Sequence, residues 1–163
     1  MKPITINLKE IKPGKSTFQI SSTAQELELT DIEFKIIGNI QTEVSIYKNR
    51  NNYEMEIKSM FRMLLFCSRC LNEFEEEFTE NDHFYLKEGF EKVSEETTFS
   101  DEDAYTIFFN DDIIDISPLV REQVILSIPI KPLCSDTCKV PTYKQDEEAD
   151  PRWQKLLDLF KKW

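Results

Sequence analysis

The chain has 163 residues, 40% of them hydrophobic, and its 31 carboxylates against 20 Lys and Arg give a formal net charge of -11. That length supports one good core rather than two domains, and no apolar run approaches the ~20 residues that a membrane-spanning helix needs. The acidic balance disfavours extensive direct binding to a phosphate backbone, which relies on Lys and Arg to neutralise phosphates.

The opening Met1-Lys2-Pro3-Ile4-Thr5-Ile6 lacks the apolar core of a signal peptide, so a soluble cytoplasmic protein with reduced thiols is expected. Residues 1 to 31 alternate weakly, through Ile4, Ile6 and Leu8, a turn at Pro13-Gly14, then Phe18 and Ile20, which fits two short edge-like strands. From Phe34 the alternation sharpens, with Ile36, Gly38, Ile40, Thr42, Val44 and Ile46 sharing one face of a half-buried strand. Asn49-Arg50-Asn51-Asn52 is a polar turn, and the next strand puts Tyr53, Met55, Ile57, Ser59, Phe61 and Met63 on one face before it runs into Cys67. A third strand carries Phe74, Phe78, Phe84 and Leu86 on even positions. Three long strands joined by short turns predict an antiparallel meander. Glu76, Glu80 and Asp82 share parity with those phenylalanines, which calls for a bulge or a solvent-exposed end.

Residues 87 to 104 have few apolar anchors beyond Phe90, Val93 and Phe99 and read as an acidic mobile loop. Tyr105 to Phe109 reads as a short strand. A helix follows at about 117 to 128, capped by Asp115 or Ser117, with Pro118 in its first turn and Pro129 beyond its end. Residues 139 to 149 form a polar linker. Asp150-Pro151-Arg152 then opens an amphipathic helix over 150 to 163, with Trp153, Leu156, Leu157 and Phe160 in one stripe and Lys155, Lys161 and Lys162 off it. Its stripe must be buried, on the protein's own sheet in preference to a partner. The expected fold is α+β: an antiparallel curved sheet or partial barrel in a single core domain of residues 1 to 138, with the two helices just described.

The chain's four cysteines fall in two close pairs, Cys67-Ser-Arg-Cys70 and Cys134-Ser-Asp-Thr-Cys138. Each pair has the spacing at which a tight turn aims two thiolates at one point, and zinc takes four such ligands tetrahedrally from two turns. A structural zinc site of Cys67, Cys70, Cys134 and Cys138 is therefore the leading expectation. A redox dithiol, disulfides, or independent buried cysteines are the alternatives. Redox C-x-x-C motifs usually open a helix, whereas Cys67 follows the apolar run Met63 to Phe66 and reads as part of a turn between strands. Disulfides would require an oxidising compartment.

The excess charge is concentrated. Residues 72 to 103 hold thirteen of the thirty-one carboxylates and two cations, Lys87 and Lys92, so this stretch carries -11 and the remainder is neutral. Such a surface suits a basic partner, and the plainer alternative is a solvated loop that keeps the protein soluble. The one histidine, His83, lies in the acidic strand, and the three glycines are scattered. Neither a Ser-His-Asp nor a Cys-His set, nor a phosphate loop, can be assembled, so neither an enzyme nor a small-molecule substrate is expected.

Cys67-Ser68-Arg69-Cys70-Leu71, then Glu122-Gln123-Val124-Ile125-Leu126-Ser127-Ile128-Pro129 with Pro132-Leu133-Cys134, then Asp150-Pro151-Arg152, resemble in order and combination the landmarks of the YceD family of bacterial and plastid proteins. Many members carry a Gly-Leu-Cys and a further C-x-x-C after the second pair, and this chain lacks both. The resemblance implies a role in accumulation of large-subunit ribosomal RNA, without a known catalytic activity. It makes a non-enzymatic assembly factor the expected function, with the acidic surface engaging a basic protein such as a large-subunit ribosomal protein. The residues singled out for partner binding are Arg69, Glu73, Glu75, Glu77, Arg121 and Arg152. The rival expectation is direct RNA contact through Arg62, Arg69, Arg121 and Arg152, and a thiol redox activity is the least favoured.

Overall fold

Alternate positions of a strand face opposite sides, so each period-two segment can bury one apolar row against a common core. The computed structural model describes residues 1–30, 34–50, 52–89 and 104–141. Within them, β1 (Thr5–Asn7) leads through a 3-10 turn at Leu8–Glu10 to β2 (Gly14–Ser22), β3 (Lys35–Asn49), β4 (Asn52–Phe66), β5 (Glu73–Glu88), β6 (Thr106–Phe109), β7 (Ile113–Asp115) and α1 (Ser117–Leu126). Strands β2 to β6 form one sheet in chain order, and β1 pairs with β7 in a separate two-stranded ribbon.

The meander from β2 to β5 is antiparallel. β6 departs from that expectation by joining β5 in parallel, from Tyr85↔Thr106 to Glu88↔Phe109. A parallel neighbour needs a crossover of a dozen or more residues, and residues 89–105 supply that length. β2 and β6 are the two ends of the sheet and do not pair with each other. The α+β class therefore takes the form of an open mixed sheet with one helix among the described residues, and not of a closed barrel.

In β3 the register shifts between Ile37↔Arg62 and Gln41↔Met60. Four steps on β3 meet two on β4, so the bulge inserts an even number of residues and leaves the alternation in phase: Ile36 and Ile40 are both buried. Gly38, at φ +75, supplies the left-handed turn this requires. On β4, Met55, Ile57, Ser59, Phe61, Met63 and Leu65 are all buried. No bulge relieves β5, whose register with β4 runs unbroken from Tyr53↔Leu86 to Phe66↔Glu73. Glu80 and Asp82 stay on the core-facing side, half-buried, while Glu76 is exposed. Of the expected acidic loop, Lys87 and Glu88 belong to β5, and residues 90–103 lie outside the described residues.

α1 lies across the sheet and buries Ser117, Val120, Gln123 and Val124. The Asp115 carboxylate accepts hydrogen bonds from the Ser117 amide (2.9 Å), the Ser117 hydroxyl and the Ile4 amide (3.0 Å), tying the helix start to β1. Burial opposes ionisation of Asp115, but those hydrogen bonds outweigh it and hold the carboxyl below its usual range. Leu27 and Leu29 add to the core from a turn braced by Thr23 and Glu26, each side chain bonding the other's amide. The linker beyond Pro141 and the expected helix over 150–163 lie outside the described residues.

Candidate metal centre

The turn from β4 to β5 is closed by its own backbone: the Cys67 amide donates to the Asn72 carbonyl and the Leu71 amide to the Cys67 carbonyl, each at 2.9 Å. Leu71 takes φ +62 to complete it. The amides of Arg69 and Cys70 point at the Cys67 sulfur, at 3.4 and 3.5 Å. Cys67 is thus a buried sulfur at the mouth of a turn whose N–H groups converge on it. Such donors favour thiolate over thiol.

α1 delivers the second cysteine pair to that turn. Gln123, buried on the helix, donates from Nε2 to the Ile57 carbonyl of β4 at 3.1 Å. Nine residues further on, the Pro132 carbonyl accepts the Ser68 amide at 2.9 Å. The two sequence landmarks therefore meet physically. Cys134 to Cys138 form a turn closed by the Cys138 amide on the Ser135 carbonyl (3.4 Å) and by the Ser135 and Thr137 hydroxyls (3.1 Å). Arg69 stitches this turn to the first, its Nη1 donating to the carbonyls of Asp136 (2.7 Å) and Cys138 (3.2 Å).

The four sulfurs lie within 4.8 Å of one another. Two separations that run across the turns are Cys67 to Cys138 at 3.6 Å and Cys70 to Cys134 at 3.5 Å. A disulfide holds its sulfurs at about 2.05 Å, and all four cysteines are free. Four sulfurs around an ion at ~2.3 Å stand about 3.8 Å apart along a tetrahedral edge, close to what is seen. The donor set also fits a cation electrostatically. Amide hydrogen bonds, the largest from Cys70, pull the Cys67 thiol down to about 5. Shared protons push the other way: the Cys70 sulfur drives Cys134 up to about 12, and burial, then Cys67, raise Cys138. Without a cation, one ionised sulfur holds its neighbours protonated; a divalent ion at the centre removes that repulsion.

The remaining residues singled out from the sequence scatter. Glu73, Glu75 and Glu77 are exposed on the outer face of β5, with Arg62 of β4 at 3.8 Å from Glu75. Arg121 is half-buried on α1, across the sheet from Arg62, and its Nε has no hydrogen-bond partner among the described residues. Arg152 lies outside the described residues. Arg62, Arg69 and Arg121 do not form one patch. What residue spacing did not reveal is the stitching by Arg69 and the Ser68–Pro132 bond, because both depend on main-chain carbonyls that every residue carries.

The fold and this site define a small α+β protein in which two distant cysteine turns converge within metal-binding distance. Residues 55–160 match the family model described as large ribosomal RNA subunit accumulation protein YceD. The match spans most of the chain, from Met55 in β4 through both cysteine pairs, and the chain belongs to the YceD family, whose name gives it a role in accumulation of the large ribosomal RNA subunit. Neither the curated proteins nor the solved structures contain a match.

Proposed function

We propose that the protein acts in large-subunit assembly by binding, not catalysis, and that β5 is the surface that engages a basic protein of the large subunit. The observation that carries this is the charge on one strand. β5 holds seven of the thirteen carboxylates of the acidic stretch, Glu73, Glu75, Glu76, Glu77, Glu80, Asp82 and Glu88, with Lys87 as its single cation. Among the described residues, Glu75 alone of the seven has an ion pair. β6 covers β5 only along Tyr85–Glu88. The strand therefore keeps an unneutralised negative field along most of its length, which steers and holds cationic partners. His83, the one histidine, is exposed, with its Nε2 3.6 Å from a Glu54 carboxylate oxygen.

The metal reading is the second half of the proposal: zinc bound by Cys67, Cys70, Cys134 and Cys138 fastens the end of α1 to the β4–β5 turn and so sets the start of the acidic strand. Its chemistry would be structural, a closed four-ligand site with no open position.

Both halves are tested together. Protein purified without chelator should carry one zinc per chain, with its thiols masked until the metal is removed. Affinity for basic large-subunit ribosomal proteins should fall steeply as salt rises and fall again in the Glu73→Gln, Glu75→Gln, Glu77→Gln variant. Salt-insensitive binding would remove β5 from the mechanism. A salt-dependent affinity for RNA that survives in the triple variant would favour direct RNA contact instead.

A further inference from the structure

We infer that the groove between β1 and β2 is a second binding surface, which takes an extended, acidic peptide segment of a partner as an added β-strand.

β2 is one end of the five-stranded sheet, and β1 pairs only with β7, so each has an open edge. The residues that face it can be named. Asn49 and Asn52 are the closing pair of the two-residue β3–β4 turn, so odd residues of β3 bond towards β4 and even ones towards β2. Ser16, Phe18 and Ile20 pair with the even residues Ile46, Val44 and Thr42. Thr17 and Gln19 between them therefore turn their N–H and C=O groups away from β3. On β1 the Leu8 amide donates to the Asp112 carbonyl and the Ile116 amide to the Ile4 carbonyl. Even residues thus face β7, and the main-chain groups of Thr5 and Asn7 point the other way. Among the described residues none of these outward groups has a backbone partner.

Both edges line one groove of about 930 Å³. Each strand contributes consecutive residues, Ile4 to Asn7 and Ser16 to Ile20, as happens when a groove follows a strand's edge rather than one of its faces. Its apolar lining is Ile4, Ile6, Ile11, Phe18, Ile20 and Ile113. Phe18 sits opposite Val44 in the inward row, yet it is 38% exposed where Val44 is fully buried. Ile113, 57% exposed, opens onto the same groove.

The β2 edge is also unguarded. Natural edge strands carry prolines, bulges or charges that repel added strands. β2 pairs with β3 in unbroken register from Gly14↔Lys48 to Ser22↔Ile40, contains no proline, and has one charge, Lys15, near its start. Bare main-chain donors and acceptors in strand register recognise another main chain, and the apolar lining takes its alternate side chains.

Two features select the occupant. A free segment bonds to both walls, whereas the β2 of a second copy already has β3 along one side and reaches only one. Charge selects an acidic segment. Lys12 lines the groove and Lys15 borders it, and neither has an ion pair among the described residues, while Lys2 and Lys9 are paired with Glu26 and Asp112. The one lining carboxylate, Glu10, is engaged by Asn7 Nδ2 at 3.0 Å. This occupant is opposite in sign to the partner proposed for β5, so the two do not compete.

The test is selection on full-length protein, purified without chelator, from a phage library of random peptides about ten residues long, the length of a strand. Enriched peptides should alternate apolar residues and carry Asp or Glu, and synthetic copies should bind by fluorescence anisotropy. Ile113→Glu sets a carboxylate in the groove from an exposed position and should weaken binding about tenfold. Gln19→Pro removes one outward N–H while sparing the ladder to β3 and should weaken it by about the same factor. Far-UV circular dichroism of both variants should match the parent; if Gln19→Pro does not fold, Ile113→Glu decides alone. No enrichment, or peptides indifferent to Ile113→Glu, would overturn the groove as a site. Enrichment of basic peptides, released by the Glu73→Gln, Glu75→Gln, Glu77→Gln variant, would overturn it too and leave β5 as the binding surface. A dimer in sedimentation that Gln19→Pro dissolves would put a second copy on the edge and overturn the peptide as occupant.

Discussion

β4 and β5 lie side by side over fourteen paired positions, yet their core-facing rows differ completely. Every inward residue of β4 from Met55 to Leu65 is buried, at no more than 4% exposure. Opposite them, β5 presents Phe84, Asp82, Glu80, Phe78, Glu76 and Phe74, half of them acids. Pairing is the same for both strands; coverage is not. α1 packs on both strands, but β4 has β3 and β5 along its two sides, whereas β5 has a second strand neighbour only along Tyr85–Glu88. Charge on a core-facing position is costly where the position is enclosed and cheap where water reaches it. On an open edge it also keeps other strands from adding to the sheet.

The sharpest test exchanges the two rows at one paired position. Ile57, 1% exposed, sits opposite Asp82. Ile57→Asp buries an unpaired carboxylate and should cost at least about 4 kcal/mol in urea denaturation. A cost below ~1 kcal/mol would mean that β4 is no better enclosed than β5. Next in size is the junction of the two strands. Arg69→Ala removes both hydrogen bonds to the second cysteine turn and should weaken metal retention about 10–100-fold in chelator competition, as loss of outer-sphere partners typically does. Equal retention would show that the Arg69 hydrogen bonds are not needed to hold the two turns together.

A smaller effect is expected inside the enclosed row, where Ser59 and Thr42 share a hydroxyl hydrogen bond of 3.3 Å. Ser59→Ala leaves Thr42 without its partner and should cost about 1–2 kcal/mol, much of it recovered when Thr42→Val is added. A double variant as unstable as the sum of the two singles would deny that the hydroxyls form a unit. Least costly is the reverse exchange, Asp82→Ile, which should change stability by no more than about 0.5 kcal/mol. Its signature should instead be increased light scattering at high concentration, from an edge stripped of one charge.

The meander was legible because β3 and β4 alternate cleanly, and the β3 bulge does not spoil that pattern: its inserted residues are even in number. β5 was harder to read. Glu76, Glu80 and Asp82 conflict with a buried face, and residue types alone cannot say whether a bulge or solvent resolves the conflict; the unbroken register and the short reach of β6 answer it. The parallel β6 was illegible, because strand direction depends on where the crossover lands and not on local pattern. Leu27 and Leu29 were missed as core because a turn, rather than a periodic element, buries them. The four cysteines were the clearest signal of all, since thiol pairs at turn spacing carry a chemistry that few other roles require.

By itself the sequence determined the family, the three long strands, the helix after Asp115, the concentration of charge between residues 72 and 103, and which residues could bind a metal. Those properties are local: periodicity, spacing and composition act over a few residues at a time. Only the tertiary structure decided that Cys67 faces Cys138 and Cys70 faces Cys134, that Arg69 turns inward to main-chain carbonyls, and that the acidic strand is the thinly covered flank of the sheet. Each of these joins residues far apart in the chain, and their relative position is set by how α1 and the crossover to β6 pack on the meander, which no local pattern encodes.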